Sequence, residues 1–467
     1  RGKGRGENFG RRGNRYLVSS GEMKMSEVLE KAAAARKAAL KLATVTTEVK
    51  NSTLLKIASA ILENKEALLK ANAEDLKAAE GLLKRGRISL PLLQRLKLSE
   101  DKLQDIAKMV RSVAELEDPV GRTLYAVELD RGLELYKVSC PIGVIGAIFE
   151  ARPDVLPQIS ALCLKSGNAV VLKGGSEARR SNEAFFNVIK AASESAGIPP
   201  GWIQLIEARS EVRELLRLDE YIDLLVPRGS KEFVKFIQTN TNIPVLGHAE
   251  GLCHIYVDAD ANIEKALKVC YDAKVQYPAV CNAVETILVH TRIAERFLKP
   301  LEKLYAEAGV EIRGDERVRK ILPEAKRATE KDWRTEYLDL IVSIKVVDSI
   351  QEAIDHINTY GSKHTDAIVT ENGRNARLFL TGVDSSSVML NASTRFSDGY
   401  RYGLGAEVGI STGKIHARGP VGLEGLTTSK YYLLGDGHVV ADYLGPKAKP
   451  FTHLPLKKRW SEIEREL

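Results

Sequence analysis

A single cysteine lies between a proline and an asparagine in residues 277–286, whose sequence is YPAVCNAVET. Cys281 and Asn282 come just before the apolar, strand-like residues 284–289. A thiol at a turn that enters a strand can face a cleft while its neighbours stay packed, and its thiolate form is a strong nucleophile. Free cysteine is also among the most buried residue types, so a packed structural thiol is the alternative. The stretch taken alone favours the packed thiol, and the rest of the chain must decide.

Two glycine-bearing turns could together bracket the phosphates of one dinucleotide. Residues 170–182, VVLKGGSEARRSN, combine a strand end, two glycines and a basic helix start, and residues 227–230, PRGS, form a second turn of this type. Backbone N–H groups at a helix start bind phosphate, but tight turns also use glycine for geometry alone. Neither turn contains GxGxxG, so each signal is weak. The candidate residues are Lys173, Gly174, Gly175, Ser176, Arg179, Arg180, Gly229 and Ser230.

Further charged side chains are candidates for binding an anionic substrate. Glu150 and Arg152 lie at the end of a predicted strand. They could form a structural ion pair, or Arg152 could bind the carboxylate of an amino-acid-like substrate. Residues 391–418 are rich in glycine and contain Arg395, which suits either a phosphorylated or carboxylated ligand or a solvated loop. His364 is a site group or a core histidine, and by itself it favours the core.

The first elements that could position these residues are helices and a hairpin. Residues 26–113 carry apolar side chains three and four apart, which predicts helices, with Ser26 and Asn51 as N-caps. Residues 124–138 alternate on both sides of the turn Asp-Arg-Gly at 130–132. They predict a β-hairpin, either an ordinary surface hairpin or an oligomer contact.

The rest of the chain alternates between apolar strands and helices, which predicts parallel sheets in an α/β fold. In a first region, the predicted strands are residues 142–149, 169–173, 203–206 and 223–226. In a second region, which starts near residue 251, they are residues 254–257, 285–289, 338–347 and 367–370. Ligands of such sheets bind at the carboxyl ends of the strands, where the candidate turns lie.

Composition excludes several functional classes. The 467 residues carry a net charge of +7 and only 6% aromatic side chains, too dilute a basic signal for nucleic-acid binding. No apolar run approaches the roughly 20 residues of a membrane helix. The five cysteines form no CxxC pair and show no zinc-like spacing, so we predict free thiols and no metal site. We expect a cytoplasmic protein, with an organelle matrix or stroma as the alternative.

One longer block identifies a family. Residues 347–368, VDSIQEAIDHINTYGSKHTDAI, contain the pattern of Ala353, His356-Ile357, Tyr360-Gly361-Ser362 and His364-Thr365-Asp366. In this block the chain resembles the γ-glutamyl phosphate reductases, a branch of the aldehyde dehydrogenase superfamily. The motifs IFEARPD, VVLKGG and NASTRFSDGYRYGLGAEVGIST also look like family blocks. The resemblance covers about residues 23–440 and extends to the reductase half of the pyrroline-5-carboxylate synthases.

The resemblance implies an aldehyde dehydrogenase-like fold of two parallel-sheet α/β domains plus a small β oligomerisation element. The NADP-binding domain would comprise residues 23–123 and 141–250, and the catalytic domain residues 251–417. Residues 124–140 and 418–445 would form the oligomerisation element of a dimer or tetramer. We expect residues 1–22, which are rich in glycine and arginine, to be a disordered lead-in, with a basic nucleic-acid arm as the alternative. Residues 446–467 would form a peripheral tail.

The resemblance also implies a reaction. NADPH would reduce L-glutamyl 5-phosphate to L-glutamate 5-semialdehyde and phosphate, the second step of proline biosynthesis from glutamate. Cys281 would attack the acyl phosphate, and the thioester would accept the hydride. The resemblance leaves open whether a glutamate 5-kinase is a partner that passes on the labile acyl phosphate. The alternatives are an NAD(P)-dependent aldehyde dehydrogenase that hydrolyses the thioester, and a structural module that keeps only the fold.

Site residues carry over from the family position by position. Lys173 and Ser176 would bind the adenosine ribose, Arg179 or Arg180 the 2′-phosphate, and Glu336 a ribose. His248 aligns with the general-base glutamate of aldehyde-oxidising relatives, although Glu250 is close to it in the sequence. We expect oxyanion support from the backbone N–H groups near Cys281 and Asn282 together with one side chain. The asparagine that usually supplies that side chain is replaced within residues 149–152, which leaves its identity open. The substrate-binding candidates are Glu150, Arg152, His248, His364 and Arg395.

Overall fold

The computed structural model describes residues 26–150, 152–207, 209–248 and 250–466. The predicted lead-in, residues 1–22, lies outside the described residues. Within the described ranges, no helix combines the length and the apolar character that a membrane crossing requires.

The helices predicted within residues 26–113 are present in the structure. Ser26 and Thr46 cap the first two helices, because their hydroxyls accept hydrogen bonds from Leu29 N and Val49 N. Ser26 is thus confirmed as an N-cap, whereas Asn51 lies inside the second helix, where its amide oxygen accepts from Lys165 Nζ at 2.5 Å. The helices are α1 (Glu27–Leu42), α2 (Thr47–Glu63), α3 (Lys65–Lys84), α4 (Leu90–Leu96), α5 (Glu100–Glu115), α6 (Val155–Lys165), α7 (Arg179–Glu194), α8 (Arg209–Leu215), α9 (Lys231–Thr239), α10 (Ile263–Val275), α11 (Ala294–Glu307), α12 (Glu316–Ile321), α13 (Ile350–Tyr360), α14 (Gly373–Gly382) and α15 (Trp460–Glu466).

The strands fall into two parallel sheets, one antiparallel sheet and a small two-stranded ribbon. The strands are β1 (Thr123–Asp130), β2 (Leu133–Pro141), β3 (Val144–Phe149), β4 (Ala169–Lys173), β5 (Ile203–Ile206), β6 (Leu224–Arg228), β7 (Cys253–Val257), β8 (Val284–His290), β9 (Glu311–Gly314), β10 (Lys326–Arg327), β11 (Ile341–Val347), β12 (Thr365–Val369), β13 (Ser387–Leu390), β14 (Gly409–Ser411), β15 (Gly419–Val421), β16 (Thr427–Leu434) and β17 (Leu454–Pro455).

The first parallel sheet has the strand order β5-β4-β3-β6. Every residue of β3 and β4 is buried, as expected for strands covered by helices on both faces. The chain runs outward from β3 to β5 and then returns to place β6 on the other side of β3. This reversal opens a crevice at the carboxyl ends of β3 and β6, the usual position of a ligand in an open α/β sheet.

The second parallel sheet has the order β10-β9-β11-β8-β7-β12-β13. Its central strands β7 and β8 are fully buried and lie side by side. The predicted nucleophile lies directly before β8, so the sheet fixes the position at which the cysteine loop ends. The two parallel sheets confirm the predicted α/β fold.

The predicted hairpin is formed by β1 and β2, joined by the two residues Arg131 and Gly132. Gly132 has φ +77°, a left-handed conformation that glycine adopts without strain. β16 pairs with β2 and β17 pairs with β1, which completes a four-stranded antiparallel sheet. Residues 446–467 therefore add a strand to this sheet. They also add α15, whose Trp460 stacks on Tyr432 with ring centroids 4.1 Å apart.

Candidate active site

Cys281 lies in the loop between α10 and β8 and is half-buried. The loop is closed by a turn in which Ala283 N donates to Val280 O at 3.1 Å. The buried side chain of Asn282 donates through Nδ2 to Ser397 O at 2.8 Å. Asn282 therefore ties the cysteine loop to the glycine-rich segment through its side-chain N–H.

Gly251 connects the predicted nucleophile to a predicted cofactor residue. A Cβ at this position would lie 1.9 Å from the carbonyl oxygen of Cys281, so the backbones touch in a way that only glycine permits. Gly251 N also donates to Glu336 Oε1 at 2.8 Å. Burial raises the pKa of Glu336, and the hydrogen bond from Gly251 opposes that effect. Thus one residue contacts both Cys281 and Glu336.

Two imidazoles lie beside the thiol. One ring nitrogen of His248, one of His364 and Cys281 Sγ all lie within 4.8 Å of one another. His248 Nδ1 lies 2.8 Å from Ile410 O, and burial lowers the pKa of His248, while the hydrogen bond to Ile410 opposes that effect. His364 is fully buried, as the core interpretation expected, yet it also adjoins the nucleophile. Both predicted histidines are therefore brought to the cysteine.

The acidic residue near His248 in the sequence has a different partner. Glu250 forms an ion pair with Lys231 at the start of α9. Its carboxylate is thus engaged outside the group formed by Cys281, His248 and His364. Of the two candidates for the general-base position, the structure places His248 at the thiol.

Residues 347–368, which carry the family motif, are hydrogen-bonded to the residues that contact the cysteine loop. Ser362 Oγ accepts from Leu252 N at 2.7 Å, and Asp366 Oδ1 accepts from His254 N at 2.7 Å. Cys253 Sγ in turn donates to Cys281 O at 3.2 Å. The block therefore fixes β7 and the residues before it, and these residues fix Cys281.

Basic side chains approach the cysteine from two further segments. Arg395 is largely buried, and its Nε donates to Gln276 Oε1 at 3.0 Å, in the loop that leads to Cys281. Arg228, at the end of β6, was not a sequence candidate, although it belongs to the PRGS turn. Its guanidinium lies 3.8 Å from Glu407 Oε1 and within electrostatic range of Cys281. The signal that could have found it is a basic residue at a strand's carboxyl end.

The turn after β4 is tightly packed. Lys173 is largely buried and its Nζ donates to Gly174 O at 2.8 Å. A Cβ on Gly174 would lie 2.1 Å from Asn182 Nδ2, so this glycine is required by packing against α7. Gly175 precedes a short 3₁₀ helix that starts at Ser176. The two arginines that follow form exposed ion pairs, Arg179 with Glu207 at 3.1 Å and Arg180 with Glu74 at 3.0 Å.

The turn after β6 holds a residue that the sequence assigned to the substrate. Ser230 caps α9, and its N–H donates to Glu150 Oε2 at 3.2 Å. A Cβ on Gly229 would lie 2.7 Å from the same carboxylate oxygen. Glu150 therefore lies at the start of α9, within the second glycine turn. Arg152 is half-buried nearby, at the end of β3.

The two glycine turns lie at one edge of the first sheet. β4 and β6 flank β3, so their carboxyl ends are about 9–10 Å apart if each neighbouring pair has ordinary strand spacing. The structure thus brings the predicted cofactor residues to one edge. Glu336 lies with Cys281, through Gly251, and within electrostatic range of Lys231 at the start of α9, next to the second glycine turn.

Comparison with known proteins identifies the family. The sequence matches the family described as "Aldehyde dehydrogenase family" over residues 14–319. The chain is 60% identical over 439 residues to the γ-glutamyl phosphate reductase of Natronomonas pharaonis. The matched residues cover 94% of this chain and 100% of that protein. The chain belongs to the γ-glutamyl phosphate reductase family. A second relative of that name, from Methanosarcina barkeri, is 56% identical over 443 residues, with 94% of this chain and 99% of that protein covered.

A solved structure of the γ-glutamyl phosphate reductase family supports the same assignment. The Thermotoga maritima γ-glutamyl phosphate reductase superposes with a TM-score of 0.86 at 44% identity, covering 89% of this chain and all of that one. The family resemblance and the aldehyde dehydrogenase fold predicted from the sequence are both confirmed. The aldehyde dehydrogenase family uses a nicotinamide cofactor, so the prediction of an oxidoreductase is confirmed as well.

Proposed function

We propose that this protein reduces L-glutamyl 5-phosphate to L-glutamate 5-semialdehyde and phosphate with NADPH, as a step of proline biosynthesis from glutamate. The observation that carries the proposal is the position of Gly251. Its backbone contacts the backbone of Cys281, and its N–H donates to Glu336. The proposed nucleophile and the carboxylate proposed to bind the cofactor are therefore both in contact with the same residue. A reaction that passes an acyl group from phosphate to sulfur and then reduces it needs this proximity.

The described residues fit a nicotinamide dinucleotide at the edge of the first sheet. Lys173, Gly174, Gly175 and Ser176 would hold the adenosine ribose, and Gly229 with Ser230 would offer the helix start of α9 to the phosphates. Glu336 would hold the other ribose. When bound, the cofactor supplies a hydride to the acyl carbon.

The preference for NADPH would come from the arginines after the first turn. Arg179 and Arg180 carry exposed ion pairs, which contribute roughly 0–1 kcal/mol each. A 2′-phosphate would compete well for these guanidinium groups, because two or more hydrogen bonds from arginine to phosphate are stronger than one exposed pair. NADH lacks that phosphate and would gain nothing from the exchange.

Cys281 is the nucleophile of the proposed mechanism. Its sulfur attacks the acyl carbon of the substrate, the thiol proton passes to neutral His248 or to solvent, and a tetrahedral oxyanion forms. Backbone N–H groups at Cys281 and Asn282 would stabilise that oxyanion. The C–O bond to phosphate then breaks, phosphate leaves with both electrons of that bond, and a Cys281 thioester remains. Arg395 and Arg152 would hold the anionic ends of the substrate.

The site favours reduction over hydrolysis of the thioester. Hydrolysis needs a base that activates water. The candidate carboxylate Glu250 is paired with Lys231, and His248 already holds a proton once it has accepted that of the thiol. His248 alone of the two lies at the thiol. Phosphate would therefore be the acceptor in the reverse reaction, in which the semialdehyde is oxidised.

The test is the phosphate dependence of semialdehyde oxidation. We expect steady-state turnover with NADP⁺ to require inorganic phosphate, and NADP⁺ to give a higher kcat/KM than NAD⁺. Turnover that ignores phosphate would instead indicate the hydrolytic aldehyde dehydrogenase. A Cys281→Ser variant that keeps full activity would exclude the proposed nucleophile. Inactivity of the parent with both cofactors would favour a structural module.

The antiparallel sheet is the proposed oligomer contact. Its edge strand β16 exposes Tyr431 and Leu433, with 61% and 56% of their surface accessible. Among the described strands, only β2 pairs with β16, so the backbone on its other side is available for pairing. Pairing of two β16 edges would cover these side chains in a homo-oligomer. A Leu433→Asp variant should then shift the parent to a smaller species in light scattering, and an unchanged mass would exclude this contact.

The cell compartment and the kinase partner are also proposals. The five cysteines are all unpaired, which suits the reducing cytoplasm or an organelle matrix or stroma. A glutamate 5-kinase that hands over the labile acyl phosphate should give coupled rates that resist an added competing acyl-phosphate hydrolase. Rates that collapse with the hydrolase would show free diffusion of the intermediate.

A further inference from the structure

Three side chains that bind soft metal ions converge at the nucleophile. A ring nitrogen of His248, a ring nitrogen of His364 and Cys281 Sγ lie within 4.8 Å of one another. The three residues come from separate segments, one before β7, one after α10 and one before β12. For this reason the sequence, which shows no zinc-like spacing, predicted no metal site.

Both imidazoles have a nitrogen available as a ligand. A carbonyl can only accept a hydrogen bond, so the 2.8 Å contact with Ile410 O places the proton of His248 on Nδ1 and leaves a lone pair on Nε2. His364 Nδ1 lies 2.9 Å from Thr365 Oγ1, which can accept from it. The buried Nε2 of His364 has no hydrogen-bond partner among the described residues. Metal-binding histidines typically engage their other nitrogen in this way.

We propose that Cys281, His248 and His364 bind a soft divalent cation such as Zn²⁺, which reversibly blocks the nucleophile. Tetrahedral zinc with sulfur and imidazole ligands needs ligand atoms about 3.3–3.6 Å apart. Cys281 and His248 are only half-buried, so rotation of these two side chains can close the gap around the fixed His364. The thiol proton would leave to solvent, and the fourth coordination position would stay open to water or an anion.

Binding of the cation depends on the three ligand atoms and not on the substrate, whereas the loss of activity rests on the proposed function of Cys281 as the nucleophile. It would make the enzyme sensitive to free zinc at a position that also controls its activity. A metal on sulfur takes the lone pair that attacks a carbonyl, so the bound form would be inactive and protected from alkylation.

The test uses Co²⁺ as a coloured substitute for Zn²⁺ on the full-length reduced protein. We expect one equivalent of Co²⁺ to produce the near-ultraviolet sulfur-to-cobalt charge-transfer band, and one equivalent of Zn²⁺ to displace it. Zn²⁺ should also slow alkylation of Cys281 by iodoacetamide, and a chelator should restore it. Spectroscopy and alkylation report on the site without reference to catalysis.

Matched variants separate this site from other thiols and imidazoles. Cys281→Ser should lose the band, whereas Cys140→Ser, which removes a half-buried thiol in β2, should keep it. His364→Gln should weaken Co²⁺ binding by more than the roughly 10–100-fold that loss of an outer-shell partner costs. His248→Gln repeats the test at a half-buried position if His364→Gln does not fold, and His438→Gln at the hairpin is the histidine control.

Two outcomes would overturn the proposal. One is a charge-transfer band that persists in Cys281→Ser. The other is a Kd for Co²⁺ that is unchanged in both His364→Gln and His248→Gln. The proposal is supported if the band follows Cys281 and the Kd follows the two histidines, while Cys140→Ser and His438→Gln behave like the parent.

Discussion

Lys274 and Glu285 form a buried ion pair that holds the segment carrying Glu336. The two side chains are 0% and 1% exposed, and Lys274 Nζ donates to Glu285 Oε2 at 2.8 Å. Lys274 also donates to Asp339 O at 3.2 Å, and Glu285 accepts from Leu338 N at 3.2 Å. Leu338 has φ +54°, an uncommon conformation for a branched side chain, which these contacts hold in place. The pair thus stabilises the loop directly after Glu336.

Replacing Lys274 by Met should therefore be strongly destabilising. Where Glu285 is ionised, removing its partner leaves an uncompensated buried charge and costs about 3–5 kcal/mol of unfolding free energy. The double variant Lys274→Met/Glu285→Gln removes both charges and should recover most of that loss. The matched control is Lys265→Met on the same helix, whose pair with Glu371 is about half exposed and should contribute less than about 1 kcal/mol.

The sign of the pH dependence follows from Glu285. Burial raises its pKa to about 7, and Lys274 is the main group that opposes this shift, so the pKa should rise further in Lys274→Met. A carboxyl whose pKa is higher in the folded protein than in the unfolded chain favours folding when protonated, and this benefit is lost as the pH rises through the folded pKa. The deficit of the single variant should thus grow as the pH rises above about 7, where Glu285 ionises in the folded parent but stays protonated in the folded variant, by at most about 1.4 kcal/mol per pH unit.

The assay is urea unfolding of the parent, Lys274→Met, the double variant and Lys265→Met at pH 6, 7 and 8. We expect a deficit that increases with pH in Lys274→Met alone. A deficit below about 1 kcal/mol at pH 8, or one that the double variant does not relieve, would exclude the role of the pair. A deficit that is constant from pH 6 to pH 8 would refute the assignment of its cause to the Glu285 charge.

Three further predictions concern the site and the tail. Gly251→Ala should lower kcat by about 100-fold or more, because the new Cβ displaces Cys281 and a misplacement of about 1 Å has that effect. Gly373→Ala, whose Cβ meets open space, should leave kcat unchanged, and equal effects of the two variants would show that the Gly251 contact is not needed. Glu336→Gln should raise KM for NADPH about tenfold, since a charge-assisted hydrogen bond of roughly 1.4 kcal/mol is lost, and steady-state kinetics with an unchanged KM would argue against cofactor contact. Trp460→Ala should cost about 3–5 kcal/mol of unfolding free energy, whereas Val440→Ala, at a residue that is 74% exposed, should cost little. Equal melting temperatures of these two variants would mean that the packing of Trp460 adds no stability.

Strands with mostly apolar sequences were predicted well. Residues 169–173 (AVVLK) and 203–206 (IQLI) match β4 and β5, because short apolar segments that are largely buried on both faces give a clear pattern. The sequence missed β13 (SVML) and α14, which begins at a glycine and is half polar. These elements are stabilised mainly by their neighbours, β12 beside β13 and Asn372 as the cap of α14, so local sequence carries little of their signal.

The site divides in the same way. The chemical types at Cys281, Glu336, His248 and His364 were predicted, because family motifs preserve them in the sequence. Their mutual contacts were not predicted, since they depend on Gly251 lying against the Cys281 backbone, 30 residues away. His364 shows the limit of local reasoning, because burial in the core and contact with the site hold for it at once.

In the proposed mechanism, Cys281 carries the acyl group, and phosphate, not water, removes it. Mass spectrometry of the protein after incubation with L-glutamate 5-semialdehyde and NADP⁺ in phosphate-free buffer tests both steps. We expect one glutamyl group per chain on the peptide that contains Cys281, and its rapid loss when phosphate is added. Continuous NADPH formation without phosphate, or acylation of a different residue, would contradict it.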